Sequence, residues 1–349
     1  TVTDPMSGGV INPISTYPYP DFKPERTKSY EVGINARFLN GRISFDGTFY
    51  QSNTYNQTFL SVMSPATGYS GFYVQAGNVR NRGVEMTLGY NDTFGKVNYS
   101  THLTYTANQN KIVEMVHDYR NPIDNSLVNI TELTLKEAGD VYLREGYSMS
   151  DVFTTGILQR GRDGKLVEEG NGYQVDRSQR IRLGSADPDF TMGWRHDINY
   201  KNISLGLMIT GRFGGIVTSQ TQAFMDAFGV SKVSAEARDN GGVMLDGHRY
   251  DAERYYNTVG GQGLMSYYTY DATNVRLQEL SLTYSLPKKW LGDVFNNATI
   301  SFVGRNLFMF YRKAPFDPDM NGSTGTYNRS DFFMAPSLRN LGFSIKFSL

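Results

Sequence analysis

Cysteine is absent from all 349 residues. That excludes a disulfide framework, thiolate metal sites and a cysteine nucleophile. Histidine occurs only four times, as His102, His117, His196 and His248, with no two at metal-ligand spacing, so a histidine-built metal centre has no support. A charge of one sign is missing too. The 34 Lys and Arg balance the 34 Asp and Glu, leaving no net field to gather nucleic acid or an anionic surface. No apolar run approaches the roughly 18 residues of a membrane-spanning helix. Phosphate-binding glycine loops, a Gly-x-Ser-x-Gly elbow, zinc motifs and paired carboxylates at a supporting spacing are not found, so the chain does not read as an enzyme.

What the chain has in excess is 24 Tyr, 21 Phe and 36 Gly. Amphipathic rings and turn formers in that proportion suit a large β-sandwich or propeller, or a transmembrane β-barrel. Period-two alternation recurs along the chain while helical periodicity is nearly absent. Ile203, Leu205, Leu207 and Ile209 alternate with Ser204, Gly206, Met208 and Thr210. Val84, Met86, Leu88 and Tyr90 repeat the pattern, as do Leu341, Phe343, Ile345 and Phe347.

Eleven segments carry this alternation: 27–38, 42–53, 82–91, 97–108, 140–148, 151–160, 190–200, 203–213, 274–286, 299–309 and 340–349. Most run about ten residues, the length of a tilted strand crossing a bilayer and longer than the usual soluble strand. The connections alternate. Residues 39–41, 92–96, 149–150, 201–202 and 287–298 are short, whereas 54–81, 109–139, 161–189, 214–273 and 310–339 are long. Five structureless loops of that size are rare in a compact soluble domain and regular in outer-membrane barrels, with short periplasmic turns and long outer loops. The expected fold class is therefore all-β, an antiparallel transmembrane β-barrel. Residues 1–26 read as an outer loop and residue 349 ends a descending strand.

Two strands depart from the pattern. In 274–286 the apolar parity switches from Val275 and Leu277 to Leu280, Leu282 and Tyr284, which predicts a β-bulge near Gln278. His196 falls on the apolar face of 190–200 without explanation. An odd strand number leaves a sheet edge unpaired, which lipid does not tolerate. More strands ahead of Thr1, or a second chain, are expected to complete a barrel of about 22 strands, of which 1–349 is the carboxy-terminal half.

Several motifs point further. Glu25-Arg26-Thr27-Lys28-Ser29-Tyr30-Glu31-Val32-Gly33, Gly77-Asn78-Val79-Arg80-Asn81-Arg82-Gly83-Val84-Glu85, Ser281-Leu282-Thr283-Tyr284-Ser285-Leu286-Pro287 and Gly304-Arg305-Asn306-Leu307-Phe308 follow in order, then Phe316-Asp317-Pro318-Asp319. Together they resemble the carboxy-terminal barrel of SusC/RagA-family TonB-dependent transporters. The resemblance implies a plug domain and TonB box, neither of which is read in 1–349. It also implies a SusD-like surface lipoprotein as lid, and oligosaccharide or peptide as substrate imported with energy from TonB. A siderophore or vitamin receptor without a lid is the first alternative, and a barrel-based enzyme or adhesin the second. Outer-membrane lipid is the expected surroundings and nucleic acid is not an expected partner.

Candidate residues follow from these readings. Strand parity turns Asp46, Glu85, Arg195, Asp197 and Arg212 toward the lumen, with Glu31, Arg37, His102 and Lys346. Loop 214–273 carries Phe224, Phe228, Tyr250, Tyr255, Tyr256, Tyr267, Tyr268 and Tyr270, rings that suit a ligand, a lid-protein seam or self-packing. Asp317, Asp319 and Asn321 match the opening of a calcium loop, although position 12 is Asn328 rather than glutamate. No other cofactor is expected.

Overall fold

Strand alternation assembles into a single antiparallel sheet of nine strands: β1 (Arg26–Phe38), β2 (Ile43–Tyr55), β3 (Asn78–Phe94), β4 (Val97–Glu114), β5 (Phe190–Tyr200), β6 (Ile203–Phe213), β7 (Asn274–Ser285), β8 (Asn297–Arg312) and β9 (Asn340–Ser348). The structure, a computed structural model, describes residues 2–3, 10–11, 16–17, 22–62, 69–120, 126–135, 141–292, 295–319 and 330–348. Each strand pairs with its neighbours in sequence order, and β1 and β9 form the two sheet edges. Tight turns join β1 to β2, β3 to β4 and β5 to β6, and 286–296 joins β7 to β8. At the first, Gly41 at φ 85° closes the turn by donating to the Phe38 carbonyl.

One face is aliphatic and aromatic. Leu205 lies opposite Ile198 and Leu282, and Phe45 opposite Ala36 and Leu88. Phe302 lies opposite Leu282 and Phe343. Rings border this face at both ends. Phe190 stacks on Tyr105 and Phe213 at 5.3 and 4.6 Å on the outer side. Tyr90 and Tyr99 meet at 6.3 Å toward the turn side, where Tyr200 ends β5. Phe190 and Tyr200 stand ten positions apart on β5, which at 3.3 Å per residue and barrel tilt spans roughly 25 Å. That is the height of a lipid-facing apolar band.

The bulge expected at Gln278 is present. Against β6, β7 carries Gln278 as an extra residue between Leu277 and Glu279, and β8 answers with an extra residue of its own between Arg305 and Phe308, so Leu277, Leu280 and Leu282 all reach the apolar face. His196 also finds an explanation. Its Nδ1 lies 2.8 Å from the Tyr99 hydroxyl, and Trp194 covers its ring at 4.3 Å. A hydrogen-bond partner and ring cover let the imidazole stand mid-strand on the apolar face.

The segments 140–148 and 151–160 do not cross with the others. β4 pairs directly with β5. Tyr142–Arg144 pairs instead with Glu132–Thr134, and Asp151–Leu158 with Val175–Ser185. Their alternation faces an outer protein core in which Leu143 and Leu158 are buried. Period two reports a half-buried strand and is silent on whether lipid or protein does the burying. The expected loops 109–139 and 161–189 are thus parts of one excursion, 115–189, and the turn 149–150 lies outside the barrel wall. Nine strands, like eleven, are odd, so the orientation of the sheet is unchanged.

Loop 214–273 is also more structured than alternation suggested. It holds three helices, α1 (Gln220–Ala227), α2 (Lys232–Asp239) and α3 (Ala252–Val259). Ser219, Ser231 and Asp251 cap them by accepting from Gln222, Ser234 and Arg254 backbone N–H groups. Each has eight residues, too short to dominate a periodicity scan.

Candidate functional site

Above the apolar band the chain builds an outer shell with its own core. α3 sets Ala252, Tyr255, Tyr256 and Val259 at i, i+3, i+4 and i+7 on one face, all buried. Leu158, Leu166, Tyr173, Leu264 and Tyr268 complete that core. A second core joins the tall outer ends of β3 and β4, through Val79 and Ile112, to Phe59, Val74, Met115 and Leu143.

This arrangement corrects the expected ligand or lid contacts. Tyr250, Tyr255, Tyr256 and Tyr268 fill the shell interior, and burial raises the phenols of Tyr255 and Tyr268 far above the usual tyrosine value. The Tyr250 hydroxyl accepts from the Leu166 N–H, and the Tyr267 hydroxyl from the Leu158 N–H. Tyr270 packs edge-on against Phe316. Self-packing wins because a loop of this length can close a core, and a phenol can enter one when a backbone donor meets its oxygen. Phe228, by contrast, is 77% exposed. Leu264→Ala, at a fully buried position, is expected to cost the shell about 2–5 kcal/mol. Trypsin should then cut within 214–273 while the barrel still runs as a heat-modifiable band.

The lumen-facing set lies on the sheet face opposite the aliphatic residues. Asp46 accepts from the Asn35 amide at 2.8 Å, and Glu85 stands across from Thr48 and Thr106. Arg195 forks onto Asp197 with Nε and Nη2 at 2.8 and 2.9 Å. Glu279 and Arg305 pair across β7 and β8 at 3.0 Å. Such paired charges suit a wet or plugged interior.

At the outer end of this face is a buried charge lock. Arg276, with its side chain 6% exposed, reaches Asp317 at 2.9 Å and Asp319 at 2.6 Å. Its Nε and Nη2 also donate to the Asn274 amide oxygen at 3.1 Å. Arg212 stands 3.7 Å from Asp319 and donates to the Ala186 carbonyl at 2.5 Å. Asp317 accepts from Ser337, and Asn306 donates to the same hydroxyl at 2.8 Å. The lock ties the chain after β8 to the barrel rim beside the bulge. Asp317 and Asp319, the expected calcium donors, thus already face two guanidinium groups, and a calcium ion would have to displace Arg276. Asn321 lies outside the described residues. Arg276 escaped the sequence reading because 41 positions separate it from Asp317. Its one trace was a cation on the lumen parity next to a predicted bulge.

A barrel wall bearing an outer shell can be compared with known proteins. A family model described as TonB dependent receptor-like, beta-barrel, matches residues 4–210. The chain belongs to the TonB-dependent receptor β-barrel family. TonB-dependent receptor P3 of Formosa agariphila is 25% identical over 371 residues, covering 99% of this chain and 36% of the relative. TonB-dependent receptor P26 of the same organism is 25% identical and covers 86% of this chain and 32% of the relative. The chain therefore spans about a third of the length of these relatives. Among solved structures, the RagAB peptide transporter superposes with a TM-score of 0.65 at 15% identity, over 93% of this chain and 35% of that one. The RagAB peptide importer in its open-open state gives 0.66 at 18%, over 96% and 36%. The likeness to the RagAB structures is one of fold. The receptor is an outer-membrane protein that crosses with strands, and none of its described helices is long and apolar enough to cross.

Proposed function

We propose that this receptor chain supplies barrel wall and outer mouth to an importer of oligosaccharide or peptide nutrients, driven through TonB and closed on the outside by a SusD-like lipoprotein. One observation carries the lid. Phe224, Phe332 and Phe333 form an exposed cluster with centroids 5.2–6.1 Å apart. Phe228, Val230 and Val233, from the end of α1 to the start of α2, are exposed as well. Contiguous apolar surface on the aqueous side of a membrane protein marks an interaction site. The strand Ser330–Asp331 holds the cluster in place by pairing parallel to Ile216–Ser219, and Ser219 donates to the buried Asp331 carboxylate at 2.8 Å. The RagAB neighbours are a peptide importer, which supports import as the activity.

In this reading substrate is trapped between lid and outer shell, and TonB acts on plug residues beyond those seen here to open the polar lumen. Phe228→Asp with Phe333→Asp is expected to cut recovery of the lipoprotein on affinity-purified receptor at least tenfold while the barrel stays heat-modifiable. Recovery of wild-type receptor from membranes with no lipoprotein attached would overturn the lid and leave a lidless siderophore or vitamin receptor.

A further inference from the structure

An open groove of about 750 Å³ lies in the outer shell between the hairpin Gln57–Val62/Gly71–Ala76, the hairpin Glu132–Thr134/Tyr142–Arg144 and the strand Val175–Ser185. Tyr142 lines it and is backed by further rings. Phe153 meets Tyr142 and Tyr147 edge-on at 5.0 and 5.6 Å. Guanidinium groups lie on these rings. Arg180 sits 4.1 Å over Tyr142, and Arg144 and Arg182 each lie 5.7 Å from Tyr147. Arg182 is paired with Asp151 at 2.7 Å. Arg180 donates to the Thr134 hydroxyl at 3.2 Å, and among the described residues neither it nor Arg144 forms an ion pair. Glu132, the one acid lining the groove, is engaged by the Tyr142 hydroxyl. Burial and that hydrogen bond push the Tyr142 hydroxyl up to about 12, so the ring beneath Arg180 stays neutral.

From this geometry we infer that the groove is a subsite for an acidic peptide, with Arg180 and Arg144 receiving its carboxylate groups. Two guanidinium groups held by ring stacking present preorganised forks to a carboxylate. The lining favours peptide over sugar. A pyranose stacks on a bare aromatic face, which Tyr142 does not offer because Arg180 covers it and Phe153 closes its edge. Val62, Phe72 and Ile130 offer an apolar wall for side chains. At residues 177–179 the strand Val175–Ser185 bulges away from its partner, because Thr155 pairs with Arg180 and Ile157 with Asp176. The Ser178 N–H turns in to the Asp176 carboxylate at 2.8 Å, and the Ser178 and Gln179 side chains stand at the groove edge as polar partners for a ligand main chain.

This inference rests on the import reading for why a ligand reaches the groove, yet it is tested by binding alone, without lipoprotein or TonB. The test uses full-length, detergent-solubilised receptor and a labelled glutamate-rich hexapeptide, its glutamine counterpart and an oligogalacturonate of equal charge. The glutamate peptide should bind at least about tenfold more tightly than its glutamine counterpart, the loss expected when charge-assisted hydrogen bonds go unmade, and more tightly than the oligogalacturonate, whose rings find no bare face on Tyr142. Raising salt should close the gap between the two peptides. Arg180→Gln and Arg144→Gln should each weaken the glutamate peptide and leave the glutamine peptide unchanged, and Arg180→Lys should restore part of the loss. Equal binding of the two peptides, a preference that survives the double variant, or equally tight oligogalacturonate would each overturn the assignment. The wild-type comparison stands even if a variant fails to fold.

Discussion

Leu207→Arg is expected to remove most of the receptor from the outer-membrane fraction, whereas Met208→Arg one position away is expected to assemble close to wild type. Leu207 lies mid-strand on β6, opposite His196 and Leu280 on the aliphatic face. An arginine there meets hydrocarbon near the bilayer midplane at a cost of roughly 2–4 kcal/mol. Met208 lies opposite Arg195 and Glu279 on the lumen face. An arginine at that position enters an interior already populated by paired charges, and Glu279 stands beside it as an acceptor. The measurement is the heat-modifiable band of each variant in outer-membrane fractions. Equal losses in the two would refute the assignment of faces on which the barrel reading depends.

Arg276→Met is expected to release the rim segment after β8 without dissolving the barrel. The side chains of Arg276 and Asp317 are 6% and 11% exposed. Removing one partner of a buried pair leaves the other charge uncompensated, at a cost of about 3–5 kcal/mol. Protease added to intact cells should then cut within 313–319 or 330–339 faster than in the wild type. Removing the opposing charges as well, with Asp317→Asn and Asp319→Asn, should recover part of the protection, since the whole network is cheaper to delete than one member of it.

The same lock carries a pH dependence with a defined sign. Burial raises the Asp317 carboxyl, but the hydrogen bonds from Ser337, Arg276 and the Asp319 backbone outweigh it and hold the group below its ordinary value. A carboxyl lowered by folding contributes its full stabilisation above the unfolded value of about 3.9 and loses it as pH falls through the folded value. Protection of 313–319 and 330–339 should therefore be constant near neutrality and decline only below about pH 4.

Much of the barrel was legible in the chain because a strand between lipid and lumen writes its two solvents into alternate side chains. The alternation located all nine strands of the sheet, the Asn40-Gly41 turn and, through the parity switch at Gln278, the bulge that turns Leu280 and Leu282 back to lipid. The same signal placed two strands too many in the wall, since Leu143 and Leu158 alternate against protein rather than lipid. Two further signals went unread. The spacing of Ala252, Tyr255, Tyr256 and Val259 marked α3, and Ser219, Ser231 and Asp251 marked three helix starts. Both are short patterns inside a long connection, easily outweighed by the surrounding turn residues.

The sequence by itself determined the strand faces, the order of turns and excursions and the kinship with a receptor family, because each depends on residues within about ten positions of one another. Only the tertiary structure decided which aromatic rings are buried in the shell and which are left bare, and which cation answers Asp317 and Asp319. Those outcomes depend on partners that sheet closure brings together from far along the chain, such as Arg276 with Asp317 or Leu158 with Tyr267. No local pattern encodes a contact of that kind.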